Sequence, residues 1–83
     1  MLGFLSNNFT KEENVMIRQP VSSTDIRSIG YENGVLEIEF HSGGIYTYPN
    51  VPKEHFDYMI SHPHPGTYFH RMVKPYYPYN SKR

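Results

Sequence analysis

Cysteine is missing from all 83 residues of the chain. That excludes a disulfide brace, a thiolate metal site and a thiol nucleophile. It suits a reducing compartment, and a cytoplasmic location is the expectation. Long apolar runs are missing too. None approaches the ~18–20 residues that cross a bilayer, so no membrane partner is expected. The opening Met1-Leu2-Gly3-Phe4-Leu5 is apolar, but it is short for a signal peptide and lacks a basic flank. The formal net charge is zero, which argues against a strongly basic nucleic-acid binder. With no tryptophan, the aromatic content rests on eight tyrosines and five phenylalanines.

Acidic residues are absent after Asp57. All eight lie at or before it, against four basic residues in the same span, and the other four bases are Arg71, Lys74, Lys82 and Arg83. Such a split marks either an interaction tail or a tail attracted to its own domain.

At this length one small domain with a thin core is expected. Residues 1–15 read as an extension, in which Thr10-Lys11-Glu12-Glu13 fits a capping box for a helical turn or two. Met16 stands where the patterned region begins and is a candidate alternative start. Residues 16–79 form the domain and 80–83 a basic end.

Strand periodicity begins after Val21. Ile26–Tyr31 is one strand, and Asn33-Gly34 is a type I′ hairpin signal. Leu36, Ile38 and Phe40 alternate with Glu37 and Glu39, as a half-buried strand requires. Ile45–Tyr48 is the third strand, closed by Pro49. A two-residue turn at Asn33-Gly34 pairs Tyr31 with Leu36 and Ile29 with Ile38. A two-residue turn at Ser42-Gly43 pairs Phe40 with Ile45 and Ile38 with Thr47. Opposed residues share a face. The expected core face therefore holds Ile29, Tyr31, Leu36, Ile38, Phe40, Ile45 and Thr47. The other face holds Ser28, Gly30, Glu37, Glu39, Tyr46 and Tyr48.

Pro52 fits the first turn of a helix running to about Ser61. Val51, Phe56, Met59 and Ile60 form its apolar stripe. His62-Pro63-His64-Pro65-Gly66 breaks it. A second short helix is predicted over about Thr67–Val73, followed by an extended Tyr/Pro tail. The fold class is α+β: a three-stranded antiparallel meander, one helix packed on a face, a second short helix and an aromatic C-terminal tail.

The series Val21-Ser22-Ser23, Ile26, Ser28-Ile29-Gly30-Tyr31, Leu36–Phe40, Ser42–Tyr48, Val51-Pro52 and Gly66-Thr67-Tyr68-Phe69 resembles the KTSC domain family. The likeness runs over about residues 18–79, and the family's central Tyr-x-Tyr signature matches Tyr46 and Tyr48. The family takes its name from the C-terminus of some lysyl-tRNA synthetases. Most members are small stand-alone bacterial or phage proteins without an established activity. The resemblance implies RNA binding through the synthetase fusion. This chain has His62-Pro63-His64-Pro65 where the family has a serine- or lysine-containing loop, and Thr67 at a usual lysine. Those replacements imply a weaker phosphate-contacting role for that loop.

Tyr46 and Tyr48 on one sheet face have the spacing of a stacking platform for bases, with cations beside it for phosphates. Arg71 and Lys74, with Lys82 and Arg83, supply those cations. The bland alternative is that the second helix or the tail folds over the tyrosines as a small core. Tyr68 and Phe69 could line a cleft with the histidine loop. His55, His62, His64 and His70 lack metal-ligand spacing, so no metal or other cofactor is expected. Glu37 and Glu39, roughly 7 Å apart on a strand, read as surface charges. No motif activates Ser22, Ser23 or Ser42 for catalysis. The expected function is a non-catalytic module binding RNA or a nucleotide through Tyr46, Tyr48, Tyr68, Phe69, Arg71 and Lys74. The alternative is a protein-interaction or homo-oligomerisation module built on an outer strand, the apolar N-terminal arm and the tail.

Overall fold

Among the described residues seven elements follow in chain order: β1 (Arg18–Pro20), β2 (Ile26–Glu32), β3 (Val35–Phe40), β4 (Ile45–Tyr48), α1 (Lys53–Ser61), α2 (Pro65–Met72) and β5 (Asn80–Ser81). The structure, a computed structural model, describes residues 16–82. The capping box at Thr10–Glu13 lies outside them. The α+β class holds, but the described sheet has five strands rather than three, in the order β1-β2-β3-β4-β5, with every pairing antiparallel. The two added strands are the edges, three and two residues long.

The first hairpin closes as Asn33-Gly34 dictates. Both residues take positive φ, 52° and 82°, as a type I′ turn requires. Tyr31 then opposes Leu36, and Ile29 opposes Ile38. The second hairpin differs from the expectation. Its loop has three residues, His41-Ser42-Gly43: the amide of Gly43 bonds the carbonyl of Phe40 at 2.9 Å and the amide of Phe40 bonds the carbonyl of Gly44 at 2.9 Å. Gly43 sits at φ 107°, the positive-φ position of a three-residue hairpin. The extra residue slides the register by one, which turns over every side chain of β4. Ile38 opposes Tyr46 and Leu36 opposes Tyr48; Glu39 opposes Ile45 and Glu37 opposes Thr47.

The tyrosine pair therefore joins the core face, and Ile45 and Thr47 join Ser28, Gly30, Glu37 and Glu39 on the opposite face. The helices cover the core face. Phe56 and Met59 of α1 and Phe69 of α2 pack with Ile26, Ile29, Leu36, Ile38, Tyr48, Val51 and Val73. Tyr31 stacks on Phe56 with centroids 5.6 Å apart, and its hydroxyl donates to the carbonyl of Val51. Pro52 caps α1 rather than opening it, and α2 begins at Pro65, two residues before the expected start. The tail is not simply extended. Turns at Val73–Tyr77 precede β5, with the amides of Tyr76 and Tyr77 on the carbonyl of Val73. No helix among the described residues is long and apolar enough to cross a membrane.

Candidate ligand groove on the second helix

The corrected register decides where the candidate residues stand. Tyr48 is 1 % exposed and Phe69 is fully buried; their rings meet edge to face at 5.3 Å. Tyr46 is half-buried, between Phe40 at 5.6 Å and Tyr79 at 5.0 Å. Burial, followed by the neighbouring phenols of Tyr79 and Tyr46, pushes the Tyr48 hydroxyl up from 10.0 to about 12. An open Tyr-x-Tyr stacking platform is thus replaced by an aromatic interior, with α2 and the tail as its lid. The other three candidates stay near the surface: Arg71 and Lys74 are exposed and Tyr68 is half-buried.

Around Arg71 the chain builds a groove of about 850 Å³ from two distant segments. One wall is the β1–β2 loop, Ser22 to Asp25. The other is the start and one side of α2, with His64, Gly66, Thr67, His70 and Arg71. The loop is held by Ser23, whose hydroxyl oxygen accepts from the amides of Asp25 and Ile26 at 3.1 Å each. A side chain at residue 66 would crowd that hydroxyl at 3.1 Å, so glycine there lets loop and helix meet. His64 takes φ 64° as the residue preceding α2, and Pro65 suits the first helical position, where no amide partner is needed. Asp25 and His70 clasp the walls together, Oδ2 to Nε2 at 2.6 Å. Arg71 and Asp25 bring opposite charges to the same groove.

A second ring cluster braces the helices from the other side. The hydroxyl of Tyr68 lies 2.8 Å from Nδ1 of His55, and that of Tyr77 lies 3.5 Å from His55 Nε2. Burial, then Tyr58, Glu54 and Tyr77, raises the Tyr68 phenol above its usual value. The four histidines do not converge. Among the described residues no group of three or more His, Cys, Asp or Glu could hold a metal ion.

Glu37 is not a surface charge. It is 2 % exposed and pairs with Arg18 from β1 and with Lys82, just past β5. Ser22, Ser23, Thr24 and Asp25 join the groove without any local motif that marks them. The signal was present only in combination, because the Ser-Ser and Gly-Thr segments of the family likeness meet in space while lying far apart in sequence.

Comparison with known proteins fits this architecture. The KTSC domain model matches residues 22–77. The chain belongs to the KTSC domain family. The crystal structure of a KTSC domain protein from Yersinia pestis is similar with a TM-score of 0.75 and 38 % identity, covering 81 % of this chain and 97 % of that one. An uncharacterised protein of Stutzerimonas stutzeri is 37 % identical over 62 residues, 72 % of this chain and 87 % of its own length. A protein of Tsukamurella paurometabola is 36 % identical over 59 residues, 69 % of this chain and 88 % of its own. The KTSC match spans both walls of the groove, from Ser22 through Arg71.

Proposed function

We propose that this KTSC domain is a non-catalytic binding module for phosphate-bearing ligands of the nucleotide or RNA class. The site is the groove between the β1–β2 loop and α2, rather than the Tyr46 and Tyr48 face. One observation carries the reading: Arg71, His64, His70 and the hydroxyl-bearing residues Ser22, Ser23, Thr24 and Thr67 line a single groove. A guanidinium offers forked donors that match phosphate oxygens, and hydroxyls complete such contacts at little electrostatic cost. His64 offers a ring nitrogen where the loop lysine is absent, while His70 is held by Asp25 and shapes the wall.

Titration of the full chain with a short labelled RNA, followed by fluorescence anisotropy at several salt concentrations, tests this. Binding is expected to weaken as salt rises. Arg71→Gln is expected to weaken it about tenfold and to flatten the salt dependence by about one unit of slope. An Arg71→Gln protein that binds as the parent does would exclude the groove.

A further inference from the structure

The groove does not end at Arg71. A second hollow of about 380 Å³ opens beside it, lined by Tyr58, Pro63, Tyr68 and Met72 together with His64, Thr67 and Arg71. His64, Thr67 and Arg71 line both hollows, so the polar groove runs directly into an aromatic one. Tyr58 and Met72 are 42 % and 45 % exposed, so both can be reached by a ligand in the hollow. The ring of Tyr58 is held in a column, with Tyr68 at 4.3 Å on one side and His62 at 3.8 Å on the other. Tyr68 is fixed in turn by His55. The hollow is therefore pre-organised, and little ordering entropy is lost when a ligand enters.

We infer that this hollow is a nucleobase subsite, so that the ligand unit is a nucleotide. Its phosphate lies in the polar groove at Arg71, and its base lies against Tyr58, Tyr68 and Met72. This rests on the phosphate reading of the polar groove. Two features favour a base over an aliphatic or peptide side chain. The lining combines phenol rings, a thioether and a guanidinium, all groups that lie well against a flat π-system. The polar end is continuous with the aromatic end through Arg71, which matches a ligand that is flat at one end and anionic at the other. The column itself limits the mode of binding. Both faces of Tyr58 are covered, so the base lies along the side of the column and against Met72 rather than between the rings. The polar groove alone offers one guanidinium opposed by one carboxylate, so inorganic phosphate is held weakly and the base supplies the discrimination.

Isothermal titration of the full chain with inorganic phosphate, ribose 5-phosphate and adenosine monophosphate tests the subsite. The nucleotide is expected to bind about tenfold more tightly than the sugar phosphate, in line with the worth of one aromatic–base contact. Tyr58→Ala and, as a second variant on an exposed position, the uncharged Met72→Ala are each expected to erase that advantage. Ribose 5-phosphate affinity should stay as it was. Equal affinity for nucleotide and sugar phosphate would overturn the base subsite while leaving the phosphate groove standing. An advantage that survives both substitutions would place the base elsewhere and overturn it as well. No binding of any of the three to folded protein would remove the phosphate reading and this inference with it.

Discussion

Lys82, just past the last described strand, places its Nζ 3.4 Å from Oε1 of Glu37 on the central strand, while Arg18 from the opposite edge pairs with Oε2. One buried carboxylate thus ties both edges of the sheet to its centre. Arg18 also donates to Ser28 Oγ at 3.1 Å, and Ser28 donates to Glu39 Oε1 at 2.8 Å, so the face opposite the helices carries a connected polar network. Breaking one member of a buried pair costs about 3–5 kcal/mol. Here the cations are partly exposed and regain water, so Glu37→Gln is expected to cost about 1–3 kcal/mol. Urea unfolding checks it: the midpoint should fall with the slope unchanged. A loss under about 0.5 kcal/mol would mean that the network contributes nothing beyond an ordinary surface.

Gly30 lets Arg18 cross the sheet to reach Glu37. A Cβ at residue 30 would lie 2.8 Å from the carbonyl oxygen of Ile17 and 3.0 Å from both Arg18 Cγ and Met16 Sδ. The side chains can give way, but the backbone oxygen belongs to the chain leading into β1. Gly30→Ala is therefore expected to cost about 1–3 kcal/mol as an overpacking change. For a domain of this size the melting temperature should drop by about 4–8 °C per kcal/mol. Hydrogen exchange should quicken first in Arg18–Pro20, the edge that must move. An unchanged melting temperature would show that β1 is loosely held.

The difference between the two hairpins shows what local sequence can and cannot convey. Asn33-Gly34 offers two residues that accept positive φ side by side, so turn type and register follow together. Ser42-Gly43-Gly44 offers several places for a positive-φ glycine, and the loop takes Gly43 with His41 and Ser42 inside it. The alternation of β3 and the bounds of β4 were legible. The face of β4 depended on one residue of loop length, which no periodicity records. The edge strands were too short to show a pattern. At the groove, Arg71 and Tyr68 stood out because bases and aromatics cluster after Asp57. The Ser22–Asp25 wall did not, because its partner Gly66 is brought to it only by the fold.

Tyr48 makes the domain sensitive to strong base. Its phenol is raised to about 12 by burial and by Tyr79 and Tyr46, whereas an unfolded tyrosine ionises near 10. The folded chain then holds the proton more tightly than the unfolded chain, so stability falls as pH rises. The contribution is whole below about pH 10 and is lost as pH climbs through about 12. Tyr68, raised in the same direction, adds to the effect. Tyr48→Phe is expected to keep the fold at neutral pH and to remove part of this alkaline loss. Melting temperatures of parent and variant between about pH 9 and pH 12 measure it. Parallel declines would assign the loss to other groups.

Asp25 and Arg71 share the groove, so under the proposed phosphate reading Asp25 opposes the ligand that Arg71 attracts. Its carboxylate lines the groove and is held by His70 at 2.6 Å, so it lies within the field of any phosphate bound there. At a half-exposed site of high effective dielectric, one like charge several ångströms away is worth about 1 kcal/mol. Asp25→Asn removes that charge and leaves an amide that can still hydrogen-bond His70. The expected outcome is a gain: RNA binding about three- to tenfold tighter at low salt, with the gain shrinking as salt screens it. Arg71→Gln in the Asp25→Asn background should cancel most of the gain, since both act on the same phosphate. Anisotropy titrations of the four proteins at two salt concentrations complete the cycle. If Asp25→Asn weakens binding instead, the clasp to His70 matters through the shape of the groove rather than through its charge, and the electrostatic account of the site fails.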